Sequence, residues 1–400
     1  KGYLPGRTSG NTATGASTGR SGGSHAGLGG NSMGAANAAY GDYADPDDWG
    51  SGGGNSYAGG SSSGGGLVRL AAGALQLDGR LLADGSSNTA GTGSGGGVLV
   101  VVNTLAGGGS IRANGGSSSG GSGGGGGGRI ALYAADSTAF NLANLTALGG
   151  TGGTPGGAGT VYLRDTDEAQ GTLLIDGSGG GNGWTALGLA GTNLTVMADV
   201  VVVRGANTHV QPVSSTNVLE FLTNVTVSSG AQLTLVASNT VFHAPLVVAG
   251  GARVDVTGAL SPTIPVVVTN NAVLTVAGAL NLTVPLTLDS GARVEVTGPL
   301  TSSVPLPLAG GVTWQVNGPL TSSVPVTVSG STLSVDYLVA PQLVLANGAL
   351  LNCLASTASQ MHKLEVNVAG TITVSADSRI DVSGLGYLPG RTSGNTATGA

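Results

Sequence analysis

Residues 246–325 read LVVAGGARVDVTGALSPTIP, VVVTNNAVLTVAGALNLTVP, LTLDSGARVEVTGPLTSSVP and LPLAGGVTWQVNGPLTSSVP, four copies of one 20-residue pattern. Pro245, Pro265, Pro285, Pro305 and Pro325 bound the copies. Gly258, Gly278, Gly298 and Gly318 form a second column, and Leu260, Leu280, Leu300 and Leu320 a third. A fixed period of this size marks a repeat that buries its apolar face only against its neighbours. Inside each copy, Val254/Val256, Leu274/Val276, Val294/Val296 and Trp314/Val316 alternate with Arg253/Asp255, Val273/Thr275, Arg293/Glu295 and Thr313/Gln315. Period 2 predicts a strand, and no apolar spacing of three and four competes with it. Two more short strands fit Leu246-Val247-Val248 and the residues before each proline. Gly250-Gly251, Asn270-Asn271, Ser290-Gly291 and Gly310-Gly311 supply the turns.

The expected fold is therefore all-β, a parallel β-helix (β-solenoid) with strands stacked about 4.8 Å apart. Proline cannot donate to such a ladder, so its column belongs at a corner. The glycine column calls for a positive φ or a close backbone approach.

Working outward, the 400 residues include 76 glycines, only 8% charged residues and 4% aromatics, yet 40% are hydrophobic. Glycine usage this far above the average of about 7% signals disorder in a polar chain. Here the apolar residues are ordered by position, which fits a thin solenoid with Gly-rich loops. A net charge of −6 argues against a nucleic-acid binder, which needs basic stripes. The single cysteine, Cys353, excludes a disulfide framework and reads as a small buried residue among Leu350, Leu351 and Leu354. No run of 18 apolar residues predicts a membrane-spanning helix.

A second period precedes the first. Gly-rich runs end at Gly66, Gly97, Gly128 and Gly159, and strands open after them at Leu67, Val98, Arg129 and Thr160, a spacing of 31. Each such coil ends in RLLADG (80–85), SIRANGG (110–116) or LTALGG (145–150), and the Gly-rich insertion leaves there, at one corner. Glycine lets backbones approach, so one expectation for the stacked insertions is polyproline-II-like strands that cross-bond, and the alternative is disordered loops. In residues 1–66, Tyr40, Tyr43, Trp49 and Tyr57 indicate that part of a flexible-looking segment packs down. Residues 2–16, GYLPGRTSGNTATGA, recur identically at 386–400. That offset of 384 reads as one tandem unit followed by the start of the next.

The organisation expected is a Gly/Ser-rich corner insertion at 1–66, a β-helix of long coils at 67–190, and irregular transitional coils at 191–245. The 20-residue coils follow at 246–325, closing coils at 326–384, and the next unit from 385. Strands are expected at 173–176, 194–203, 218–227 and 233–236.

Residues able to do chemistry show little convergence, and no catalytic residue is expected. Arg253/Asp255 and Arg293/Glu295 share an outer face but alternate in sign, which fits surface ion pairs. His25, His209, His243 and His362 have neither triad nor metal spacing. Asp42, Asp45, Asp47 and Asp48 are weak calcium candidates that lack the EF-hand spacing, and calcium is the one cofactor weighed. No GxxxxGK[ST] loop occurs. The sequons at Asn144, Asn193, Asn224 and Asn281 are no more than Ser/Thr abundance supplies.

At GGGGGGRIALY (123–133), GGSHAGLGG (22–30) and AYGDYADPDDWGSGGG (39–54) the chain resembles very long Gly-rich repetitive proteins of bacterial surfaces. Its architecture is similar to that of filamentous-haemagglutinin-type adhesin passengers. The motif resemblance covers residues 1 to about 165 and implies secretion to the cell surface or exterior, with no catalytic residues to transfer. The expected function is a unit of an extracellular filament or adhesin stalk, its partners being identical units end to end and neighbouring fibres through the Gly-rich loops. The alternative is a carbohydrate-binding or carbohydrate-cleaving β-helix, with glycans as partner.

Overall fold

The computed structural model describes residues 1–54, 62–289 and 291–397. Tyr57, Ser290 and the last three residues of the C-terminal duplicate lie outside them. The chain is all-β, with parallel strands in several sheets, an arrangement compatible with a β-solenoid. Two compact units divide it, residues 1–234 with 239–243 and residues 235–238 with 244–400.

In the second unit the 20-residue period is the pairing register. Val254 lies beside Leu274, Leu274 beside Val294 and Val294 beside Trp314, all in parallel strands. These side chains and Val256, Val276, Val296 and Val316 are buried, as the alternation requires. Leu280, Leu300 and Leu320 form a second buried ladder. The column prolines Pro245, Pro265, Pro285, Pro305 and Pro325 fall between strands, as the missing donor demands. Asn270, Asn271, Gly250, Gly251, Gly310 and Gly311 take positive φ in the turns.

The glycine column resolves into two causes. Gly258 has a φ of 96°, but at Gly298 and Gly318 the cause is contact. A Cβ on either would lie 2.6 Å from the backbone of the preceding glycine in the column. Stacking at that corner leaves no room for a methyl group. After Trp314 the repeat shortens, with Leu333 pairing 19 residues on and Leu351 18 residues beyond that.

In the first unit, Leu67–Gln76, Gly97–Gly107, Arg129–Phe140 and Thr160–Asp165 pair in that order, all parallel. The register corrects the expected 31-residue column. Leu67 faces Gly97, not Val98, and Gly97 faces Arg129. A slip of one residue inverts every side chain. The observed register puts Val98, Val100, Val102, Ile130 and Leu132 in the core. The segments that close these repeats, Arg80–Leu82, Ser110–Arg112 and Leu145–Thr146, form their own parallel sheet as expected.

A reversal follows that sequence reasoning did not anticipate. Thr172–Asp176 pairs antiparallel to Thr160–Asp165. Val200–Arg204 and Val225–Ser228 then pair parallel to the new direction. The chain thus crosses this sheet in opposite senses before and after residues 165–172. The expected strands at 194–203 and 218–227 each break in two, into Leu194–Met197 with Val200–Arg204 and Val218–Phe221 with Val225–Ser228. The halves belong to different sheets, with Asp199 and Thr223 at the bends, where the Thr223 hydroxyl donates to the Asp199 carbonyl at 2.5 Å. The repeat contracts through this region, from 28 residues (Thr172 to Val200) to 24 (Val201 to Val225).

Candidate functional site

The Gly-rich insertions of the first unit form a hydrogen-bonded lattice. Its axis is the run 123–128. The amides of Gly123 and Gly126 donate to Arg20 and Gly23, those of Gly124 and Gly127 to Thr154 and Gly157, and those of Gly125 and Gly128 to Gly116 and Ala113. Each neighbour is therefore met by every third residue, which is the period of a polyproline-II helix. The carbonyls of the same run accept from other segments, including Thr92 and Gly95, Gly27 and Gly30, and Gly150. Neither sheet nor helix satisfies these backbone groups, yet they are paired and buried, as backbone accounting requires. A Cβ on Gly126 would collide with the carbonyl oxygen of Gly27, so only glycine fits. The expected cross-bonding of the insertions is what this geometry displays.

Segment 39–50 lies against the lattice and the outer face of the adjacent sheet. His25 is fully buried and stacks on Tyr40 with ring centroids 4.8 Å apart. Its Nδ1 lies 3.1 Å from the Gly95 carbonyl oxygen. A carbonyl only accepts, so Nδ1 carries the proton and Nε2 presents a bare lone pair. That Nε2 is buried without a hydrogen-bond partner. Arg129, also buried, donates from Nε (2.9 Å) and Nη2 (2.7 Å) to the Tyr40 carbonyl and from Nη1 to Thr160. Burial, with the Arg129 charge second, holds the His25 imidazole down at about 3. Burial lowers the Arg129 guanidinium to about 10, so it stays charged at neutral pH.

Two carboxylates fasten the segment. Asp48 accepts from Tyr3 OH and Ser9 Oγ, each at 2.5 Å, and from the Trp49 amide at 2.8 Å. Burial first, and this carboxylate next, push the Tyr3 phenol up to about 12. Asp199 accepts from Tyr43 OH at 3.1 Å, Tyr162 OH at 3.0 Å and the Gly171 amide at 2.8 Å. Burial, then Asp199, raises both phenols, so they remain donors. Tyr40 and Tyr43 thus pack down as their clustering indicated, while Trp49 touches Tyr3 but stays exposed. Nothing in the sequence flagged His25, Arg129 or Asp199, because their partners lie 70, 89 and 156 residues away.

The weak calcium candidates do not converge. Asp45 pairs with Arg69 at 2.8 Å, Asp42 accepts from the Ala44 amide, and Asp48 is occupied as above. Asp47 is exposed. No group of three His, Cys, Asp or Glu side chains suited to a metal occurs among the described residues. No family model, curated protein or solved structure matches this chain. Its own geometry is what bears on function.

On the face weighed for catalysis, Arg253 binds Asp255 at 2.7 Å and reaches Glu295 at 3.6 Å, while Arg293 binds Glu295 at 2.6 Å. These part-exposed pairs are worth under about 1 kcal/mol each. Of the other histidines, His243 meets Glu220 at 2.8 Å, His362 meets Asp336 at 2.6 Å, and His209 packs on Trp184. Burial raises the Cys353 thiol, with Asp336 adding to it, the opposite of nucleophile activation. No helix among the described residues is long and apolar enough to cross a membrane.

Proposed function

We propose that this chain is a structural unit of an extracellular or cell-surface filament or adhesin stalk, a parallel β-solenoid whose tandem copies continue end to end. The recurrence of residues 2–16 in sequence, with 2–13 and 386–397 folded alike, carries the reading. Ser9–Asn11 and Ser393–Asn395 form the same short 3-10 turn, flanked by Thr8–Thr12 and Thr392–Thr396 bridges. Gly10 (φ 71°, ψ 13°) and Gly394 (φ 75°, ψ 12°) coincide. The internal consumption of hydrogen-bonding groups by lattice and ladders supports a scaffold role. Because the lattice spends its backbone groups on itself, lateral contacts between fibres fall to its rim, where residues 10, 11, 13–15 and 33–35 are exposed.

Electron microscopy of native material tests the proposal. Thin unbranched fibres with an axial repeat of one unit are expected. Globular particles of single-unit mass contradict it.

Glycan binding is the second reading, favoured by an open groove of about 300 Å³ lined by Asn281, Thr283, Thr301, Ser303, Thr321 and Ser323. Retention of an oligosaccharide on a glycan array, lost at least tenfold in Thr301→Val, is the outcome that reading requires. Equal binding by both chains removes it.

A further inference from the structure

The long coils end in the middle of the first unit, and the last of them is left half covered. Arg129–Phe140 has 12 residues, but the strand beside it, Thr160–Asp165, pairs only with residues 129–134. After Asp165 the chain turns back, and Thr172–Asp176 returns along Val161–Leu163 instead. Among the described residues, no strand lies along 135–140 on that side. Leu145–Thr146, the next side of the same coil, is likewise the last strand of its sheet. The Thr146 hydroxyl there is buried without a hydrogen-bond partner.

Two cavities follow the uncovered side. One of about 360 Å³ runs along 134–138, with Leu132, Leu142 and Leu163 in its walls. The other, about 210 Å³, is lined by Leu142, Leu145, Thr146 and Leu174. They share Leu142, which is 37% exposed. Leu132 and Leu145 belong to the core of the long coils, so the cavities open on the end of that core. The larger one is rimmed by three exposed carboxylates, Asp136, Asp165 and Glu168, against one guanidinium, Arg164. Bonds from the Thr138 hydroxyl and then its amide hold the Asp136 carboxyl below the usual carboxylate range, so it is ionised at neutral pH.

An uncovered strand edge beside an apolar groove is the setting for strand addition. A peptide gains main-chain bonds along the edge and seats alternate side chains in the groove. Residues 135–140 span about 20 Å, enough for a hexapeptide. Charge selects the occupant. The same face of a second copy would set carboxylates against carboxylates, whereas a Lys or Arg side chain is drawn to them.

We propose that the edge 135–140 and the groove between Leu142 and Leu163 bind an extended peptide of alternating apolar residues, with a Lys or Arg directed to Asp165 and Glu168. The site lies within the first unit and does not depend on how copies join.

The test offers the full chain an array of hexapeptides with Val, Ile, Leu or Phe at positions 2 and 4 and Lys, Gln or Glu at position 1. Lysine peptides should be retained. By fluorescence anisotropy the best of them should bind about tenfold more tightly than its glutamate version. Its affinity should fall about tenfold in the double variant Asp165→Asn, Glu168→Gln, whose exposed side chains keep their shape. N-methylation of alternate peptide amides should abolish binding in one phase and be tolerated in the other, because only alternate amides face an edge. Amide exchange at 135–140 should slow about tenfold in the complex. An array with no retained peptide overturns the proposal. So do equal binding of the lysine and glutamate peptides, equal binding of both methylated phases, and exchange at 135–140 that the peptide leaves unchanged.

Discussion

Gly126→Ala should lower the melting temperature of the first unit by about 10 °C, a loss of about 3–5 kcal/mol. The added methyl falls within the radius of the Gly27 carbonyl oxygen. That oxygen belongs to a backbone held by bonds from Gly27 N to Gly127 O and from Gly30 N to Gly124 O. Backbone cannot change rotamer to escape. The segment must move, and with it the bonds of Gly126 to Gly23 and of Gly95 to Gly126. Each lost bond between buried groups costs about 1–3 kcal/mol, and overpacking adds about 1–3. Gly73→Ala is the matched control. It lies in the strand Leu67–Gln76, and its methyl meets nothing within 4 Å. Its stability should change by less than about 0.5 kcal/mol, toward stabilisation if at all. Melting within 2 °C for the two variants would show that the lattice does not hold this unit together.

Acid should unfold the first unit through His25. The imidazole sits at about 3 in the folded protein and near 6.5 when unfolded. Between these values the unfolded chain binds a proton that the folded one refuses, so stability rises with pH. The contribution is complete above about pH 6.5 and is lost progressively as pH falls toward 3. Over that window it amounts to about 5 kcal/mol. Buried Arg129 makes protonation worse, and Asp48, the nearest favourable charge, is already engaged by Tyr3 and Ser9. Carboxylates titrate in the same range, so the readout is the difference between wild type and His25→Phe. The wild-type denaturant midpoint should fall more steeply than that of His25→Phe as pH drops from 7 to 3. Parallel curves would remove His25 from the account.

These two sites mark where the sequence is legible and where it is not. The proline column, the inward Val254-to-Trp314 ladder and the turns at Asn270-Asn271 follow from local chemistry, because every neighbour in a 20-residue stack is another copy of the same residue class. The Gly-rich corner was legible as composition: glycine with apolar order around it foretold close packing of backbones. Its register was not, because a run such as 123–128 has no side chains to distinguish one residue from the next. The Leu67–Gly97 pairing shows the cost, a one-residue error in a column anchored on glycine. The reversal at residues 165–172 was hidden for a different reason. DTDEAQG reads as any polar surface loop, and the decisive contact, Tyr162 with Asp199, joins residues whose intervening chain carries no periodic signal. His25 likewise looks like an isolated histidine until the fold brings Arg129 and Tyr40 beside it.

The three-residue rhythm of the lattice bears on how such a protein is destroyed. A protease reads its substrate as an extended strand, pairing with free backbone groups and seating side chains in pockets. Residues 123–128 offer neither: their amides and carbonyls are committed to neighbouring segments on several sides, and they have no side chains to seat. Cutting there first requires stripping one strand away from several partners together, whereas an ordinary glycine loop opens alone. The composition that most resembles a digestible linker is thus, once folded, closed to digestion along 123–128.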